Sequence, residues 1–380
     1  GFNVASQIIW LNVIFETVQE ALILPLFFLL GKSIHNAELL DNKIKTGIIT
    51  TAIIYLVFVL LIYFNAEHLL RVVAQKESIL ALSSKYIKLE SISILLSVVY
   101  RYSLIVLILL NKIKEILFLL VLQTLLICLS DSLLISSFSF SMNLGVLGIA
   151  YGNILVSCLL IFMSTYILTT RRIIDFRKTN FDFSWQKEWF KIGSFSGLES
   201  IIRNTIFFIL ILRWINMVEG QSYFWISNTF IWSWLLIPVT ALGELIKKEI
   251  GESNQRVKAV AKSAAVVTTG IVVAWIISIP ACDFFFKNVM NIDEADTVFD
   301  ITIIALIFYI IFAYNNIVDS IFYGLGRTDL MLIQSLIINI LYYGIIYLLV
   351  LTGLLSLSLN IIVIIFGVGI LLDSLLTFGI

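Results

Sequence analysis

Two ionisable side chains sit where lipid would penalise them. Residues 192–216, IGSFSGLESIIRNTIFFILILRWIN, are long and apolar enough to cross a bilayer, yet they carry Glu199, Arg203 and Asn204. Glu199 and Arg203 are four residues apart, so a helix puts them on one face within reach of each other. Ile206, Leu210 and Arg213 continue that stripe at steps of three and four. A carboxylate at membrane depth costs at least about 2.5 kcal/mol, which makes it by default the mark of a path for ions or a polar solute. A plainer role stays open: Glu199 and Arg203 neutralise each other and pin two helices together.

Other polar residues fall inside apolar runs in the same way. The first run holds Asn12, Glu16, Gln19 and Glu20 in one stripe, and carboxylates four apart repel unless they share a cation. Glu90, Ser93, Ser97 and Arg101 lie on one face of the third run, and Thr124, Cys128 and Asp131 on one face of the fourth. Asn228 and Trp232 occupy the seventh, and Tyr309, Asn315, Asn316 and Asp319 the ninth; Asp373 is deep in the last. Stripes on so many helices cannot all face lipid, so they are expected to converge on an internal cavity, one in each half. Ser93, Ser97, Thr124 and Asn339 read as helix-to-helix glue. Glu244, Lys247 and Lys248 read as a surface cluster, and Arg327 with Asp329 as the setting of a turn. From these residues, cation or proton coupling is expected at Glu199, Glu16 and Glu20. A solute cavity is expected at Arg203, Asn204, Asn12, Gln19, Arg101, Asn228, Trp232, Asn315 and Asn316.

The elements that position these residues follow from composition. Hydrophobic residues make up 60% of the 380 and charged residues 13%. Such a chain is no soluble globular domain, and its apolar runs of about 20 residues read as membrane helices rather than barrel strands. Zero net charge and the absence of a basic arm argue against nucleic acid. Two histidines and three cysteines, Cys128, Cys158 and Cys282, give no metal spacing, and the cysteines fit small core residues. No nucleophile–base pair or nucleotide loop is present, so neither an enzyme nor a cofactor is expected beyond a transported Na⁺ or H⁺.

Eleven spans are expected: 4–31, 46–73, 84–110, 116–138, 144–169, 190–216, 222–250, 259–286, 297–324, 330–352 and 357–380. Lys and Arg concentrate in the joints after alternate spans, as in 171–187, RRIIDFRKTNFDFSWQK. The positive-inside rule places those joints, and the carboxy terminus, in the cytoplasm. The same long joint divides the chain into a lobe over 1–170, a linker over 171–189 and a six-helix lobe over 190–380. Weak likeness between the halves pairs the first span with the seventh. That pairing leaves the central span without a mate and implies a further span ahead of Gly1 and twelve in the complete bundle.

Three segments carry a resemblance to a known family. LGVLGIAYGNILVS at 144–157 is similar to the Gly-rich opening of the sixth helix of the multidrug and toxic compound extrusion (MATE) family, part of the MOP flippase superfamily. FYGLGRTDLMLIQSLIIN at 322–339 resembles that family's joint between helices ten and eleven. IGSFSGLESIIRN, running on through FWISNTFIWSWLLIPVTALGELIKKE, resembles helices seven and eight of a bacterial branch. The resemblance implies a two-lobed, twelve-helix, all-α membrane protein in a bacterial cytoplasmic membrane. It also implies a monomer that exports amphiphilic organic cations by alternating access, in exchange for Na⁺ or H⁺. Glu199 matches the acidic residue many members carry on helix seven, although Ser194 and Phe195 stand where the family has a proline after the glycine. Asp319 matches by helix a functional acid that some members carry on helix ten, and the resemblance adds it to the expected cation- or proton-coupling residues. Other members couple through an Asp on helix one, which the pairing of the halves places ahead of Gly1. The same superfamily includes flippases of lipid-linked sugars, which use basic cavities, and Arg101, Arg203 and Arg213 keep an anionic substrate open as the alternative.

Overall fold

The computed structural model describes residues 8–72, 77–175, 181–218, 220–292 and 294–379. Within these, helices form because each apolar run must satisfy its own backbone once water is excluded. The chain divides into two compact units, Gly1–Lys191 and Ile192–Ile380.

The first unit contains α1 (Ile8–Ile23), α2 (Leu26–Gly31), α3 (Ala37–Val72), α4 (Glu77–Leu109), α5 (Ile113–Leu134) and α6 (Val146–Thr170). Pro25 separates α1 from α2 because its ring removes a helix donor and crowds the preceding turn. α4 packs against both α3 and α6, and α5 packs on α6. The second unit takes up α7 (Gln186–Ile206) from Ile192 onward, followed by α8 (Arg213–Met217), α9 (Gln221–Phe230), α10 (Ile237–Glu252) and α11 (Val257–Phe284). It ends with α12 (Ala295–Leu325), α13 (Thr328–Ile337), α14 (Tyr343–Leu351) and α15 (Leu359–Gly379). π-Helical turns at Phe207–Leu212, Ile231–Leu235, Phe285–Val289 and Ile338–Tyr342 interrupt these helices.

Ten described helices are long and apolar enough to cross a membrane. The pair Ser222–Leu235 and Ile237–Glu252, bent by 49°, makes an eleventh if it is one span. Pro238 occupies the first turn after that bend, where a missing N–H costs no helical bond. α12 is the centre of the second unit, in contact with α9, α10, α11 and α15. Its inward residues Val298, Leu306, Tyr309 and Ala313 join Phe230, Leu236, Val239, Trp275 and Phe286 in one core. Large apolar side chains such as Leu61, Phe64, Leu125, Phe162 and Ile277 are exposed, as expected of surfaces solvated by acyl chains. α12 stops at Gly326, whose φ of 70° is left-handed. The Arg327 N–H then reaches Phe322 O at 2.8 Å and the Gly326 N–H reaches Tyr323 O at 3.1 Å, closing the orphan carbonyls.

Three sequence expectations change. The joint expected over 32–45 is largely helix, because its charges are satisfied internally. Lys45 pairs with Asp41 at 2.7 Å, and Lys43 Nζ donates to Leu29 O at 2.9 Å. The second half of the expected linker is also ordered: Asn42 Nδ2 donates to Asp182 O and the Asp182 N–H to Asn42 Oδ1, both at 2.9 Å. Trp185 Nε1 donates to Thr46 Oγ1, and Trp189 Nε1 to Leu22 O, so two indoles hold this segment on the first unit. Finally, Cys128 and Cys158 are exposed and only Cys282 is partly buried, so the first two face outward from their helices rather than filling a core.

Candidate functional site

The second unit encloses a cavity of about 450 Å³, within the range of sites for drug-sized molecules. On α7, Glu199 is buried and Arg203 Nε donates to its Oε1 at 3.0 Å. The two ends differ in solvation: the Glu199 side chain is 8% exposed and that of Arg203 45%. Asn204 Nδ2 donates to Ser200 Oγ at 3.2 Å on the next face of the same helix. The helix then changes period at Phe207–Leu212, which puts Phe207 and Ile211 on the cavity wall. A π-turn inserts an extra residue per turn, so the side chains beyond it are rotated off the earlier stripe. Arg213 is accordingly exposed and outside the cavity, contrary to the regular stripe expected from spacing.

α9, the π-turn that follows it and α12 supply a polar chain on an aromatic wall. Trp232 Nε1 donates to Tyr309 OH at 2.9 Å, and Tyr309 OH donates to Asn228 Oδ1 at 3.4 Å. Trp232 also meets Phe312 with ring centroids 5.9 Å apart. Lower on α12, Asn316 Nδ2 donates to Val239 O at 3.0 Å. Asn315 Nδ2 reaches Asp319 Oδ2 at 3.0 Å and Asp373 Oδ2, on α15, at 3.4 Å. Asp319 Oδ1 is sealed from solvent without a hydrogen-bond partner among the described residues. Formal charges on the lining are Glu199, Asp319 and Asp373 against Arg203 and Lys247, one negative charge in excess. A negative, aromatic-walled cavity is suited to an amphiphilic cation, which gains from ring faces as well as from carboxylates.

The cavity unites Glu199, Arg203, Asn204, Asn228, Trp232, Asn316 and Asp319 among the expected site residues. Asn315 is buried behind the wall and acts through the two aspartates. Glu16, Gln19, Glu20 and Arg101 belong to the first unit and do not line this cavity. There Glu16 is exposed, and Gln19, Glu20 and Arg101 are partly buried. The Asn12 side chain lies outside the described residues. Thr124, Cys128 and Asp131 are on an exposed face of α5.

Tyr309 and Asp373, noted in the sequence as polar residues at depth, do line the cavity, whereas Gln334, Tyr343 and Lys247 were not expected there. The cluster expected at Glu244, Lys247 and Lys248 divides instead. Lys247 lines the cavity with Nζ 5.4 Å from the Tyr323 ring centre, while buried Lys248 pairs with Glu249 at 3.0 Å. Asn339, expected as glue, does donate to Ser335 O at 2.8 Å, and it also faces the cavity. The usable signal was the spacing of Asn315 and Asp319, four apart on one helix face; no spacing could show that α15 brings Asp373 to the same amide.

A helical membrane protein with a charged, aromatic cavity in its second unit is thus defined by geometry alone. Its fold is that of MATE transporters of the MOP superfamily, as structural comparison shows. A point mutant of the Vibrio cholerae MATE transporter VcmN superimposes with a TM-score of 0.83 at 14% identity, over 99% of this chain and 86% of that one. An outward-facing multidrug resistance MATE family transporter of the MOP superfamily gives 0.80 at 17% identity, over 99% and 86%. A MOP superfamily transporter from Pyrococcus furiosus, described as having a binding pocket of reverse polarity that suggests a different function, gives 0.78 at 17% identity over the same shares. No protein-family model and no curated protein matches the chain by sequence.

Proposed function

We propose that the chain is a secondary active transporter that exports amphiphilic organic cations in exchange for H⁺ or Na⁺ by alternating access. The observation that carries this reading is the cavity of the second unit, where three carboxylates from α7, α12 and α15 outnumber two basic groups beside aromatic rings. Charge at that depth is retained at a cost of about 2.5 kcal/mol or more per group, which a transported cation offsets. Glu199 and Arg203 form the polar face a substrate meets. Cation occupancy of the carboxylates biases the protein between its open states through differential affinity. The proposed setting is a bacterial cytoplasmic membrane, with the carboxy terminus in the cytoplasm and the protein acting as a monomer among lipids. Arg171, Arg172 and Lys187 in the long joint support that orientation.

A second reading is favoured by one specific pair of observations. Arg203 and Lys247 face the cavity, and a structural neighbour is described as having a pocket of reverse polarity. On that reading the substrate is an anionic amphiphile, such as a lipid-linked saccharide. Proteoliposomes loaded with tetraphenylphosphonium and given an imposed H⁺ or Na⁺ gradient separate the two. Gradient-driven efflux that is weakened in Glu199→Gln supports cation exchange. Efflux absent under both gradients, with facilitated movement of an anionic lipid, supports the second reading.

A further inference from the structure

We propose that Asp319 and Asp373 form a two-carboxyl site holding one exchangeable proton, and that this dyad, bridged by Asn315, is the coupling point of the cavity. The inference rests on the transport reading above and assigns the division of labour within its site.

Glu199 is poorly placed to carry the proton. Its Oε1 already accepts a charge-assisted bond from Arg203 at 3.0 Å, and a proton arriving on this carboxyl removes the charge that strengthens that bond. The dyad has the opposite need. Asp319 Oδ2 and Asp373 Oδ2 both accept from a single nitrogen, Asn315 Nδ2, at 3.0 and 3.4 Å. The two carboxylate oxygens are therefore no further apart than those distances laid end to end. Like charges so close, one of them with an oxygen sealed from solvent, repel and favour a compensating cation or proton.

A separate observation concerns the buried oxygens around the dyad. Asp319 Oδ1, Asn315 Oδ1, Gln334 Oε1 and Ser320 Oγ are all buried without a hydrogen-bond partner among the described residues. Asn315 and Gln334 are only 1% and 2% exposed. Three of these atoms are acceptors awaiting a donor, and a protonated carboxyl supplies one. The groups facing the dyad from other elements are Glu199 and Arg203 on α7, Lys247 on α10, Gln334 on α13 and Tyr343 on α14. The two cations among them, Arg203, which also pairs with Glu199, and Lys247, which also lies over the Tyr323 ring, are near enough to act on the dyad electrostatically.

The step is a single proton transfer without redox change. An O–H bond forms when a proton passes from water to one aspartate oxygen, and the same bond breaks when the proton returns to water on the other side. The lining then alternates between one net negative charge, which suits a monovalent cation, and neutrality, which does not. Exchange is accordingly one proton for one monovalent cation.

Infrared difference spectroscopy of the purified protein in liposomes, titrated with acid, reads the protonated carboxyl directly. The wild type is expected to show one titrating carboxyl C=O band. Asp319→Asn and Asp373→Asn should each remove it, Asn315→Leu should shift its midpoint, and Glu199→Gln should leave the band in place. Gel filtration and the tryptophan fluorescence spectrum identify variants that still fold. If one aspartate variant fails to fold, the other and Asn315→Leu still decide. A band unchanged in both aspartate variants, or displaced by Na⁺ at constant pH, overturns the proposal. The band is read without transport, so a wild type that moves no cation defeats the transport reading while the dyad remains tested. One-for-one exchange is checked by counting protons released per tetraphenylphosphonium bound; a ratio near two, or none, contradicts it.

Discussion

Leucine at Arg203 exposes how the Glu199–Arg203 pair is built. The substitution leaves a carboxylate that is only 8% exposed without its guanidinium partner. Breaking a fully buried pair costs about 3–5 kcal/mol. Arg203 is 45% exposed, so water screens the pair and the expected loss falls to about 1–2 kcal/mol. Glu199→Gln removes the charge but keeps an acceptor, for about 0.5–1 kcal/mol. The double variant leaves no buried charge, so its loss should be smaller than the sum of the two by about 1 kcal/mol. Unfolding by dodecyl sulfate in mixed micelles, followed by tryptophan fluorescence, measures all three.

Binding adds an independent reading of the same pair. For a cation about 6 Å from Glu199 at an effective dielectric of about 40, losing that charge removes about 1.4 kcal/mol, close to tenfold in affinity. Arg203→Leu should raise affinity for tetraphenylphosphonium by a comparable factor. Additivity within about 0.3–0.5 kcal/mol, or two variants that move affinity in the same direction, would refute the reasoning that these side chains act as one electrostatic unit.

Three further outcomes are expected. Gly243→Ala places a methyl group 2.8 Å from both Asn316 Nδ2 and Ser320 Oγ, so it should displace the cavity wall. The cost is about 1–3 kcal/mol, with lower cation uptake, both measurable on the same preparation. Trp232→Phe removes the N–H that Tyr309 OH accepts and a better cation-binding ring. It should cost about 0.5–1.5 kcal/mol and weaken cation binding several-fold by fluorescence titration. Outside the membrane segments, Asp182 accepts bonds from the Ser184 N–H and Oγ–H, both at 2.8 Å, which hold its carboxyl below the usual carboxylate range. That contribution is complete above the ordinary carboxylate pKa and is lost as pH falls through the lower folded value. Limited proteolysis of the 171–187 segment should therefore accelerate only at strongly acid pH, and Asp182→Asn should remove the acid dependence.

Much of the architecture was legible because lipid imposes a single rule on backbone polar groups, and among the described residues ten apolar runs, or eleven with the bent pair, obey it. Helix ends were less legible. Lys43 and Lys45 look like loop charges until Leu29 O and Asp41 are seen to receive them. The cavity was half legible. Glu199, Arg203 and Asp319 stand out as charges at depth, whereas Asp373 reaches them only because α15 packs on α12. Arg213 misled because a stripe of constant period cannot anticipate the π-turn at Phe207–Leu212. Lys247 misled because its neighbour Lys248 belongs to an acidic cluster on the other face of the same helix. The shared lesson is that local spacing fixes which residues a helix groups together, while packing between helices decides what they face.

The most direct measurement is tetraphenylphosphonium flux in proteoliposomes with a proton gradient imposed in either direction. Acid outside should drive the cation out against its own gradient, with reversal when the gradient is inverted, loss of coupling in Asp319→Asn and Asp373→Asn, and coupling kept at weakened cation affinity in Glu199→Gln. Flux that follows only the cation's own gradient, unchanged by pH on either side, would contradict exchange at the carboxylates of the second unit.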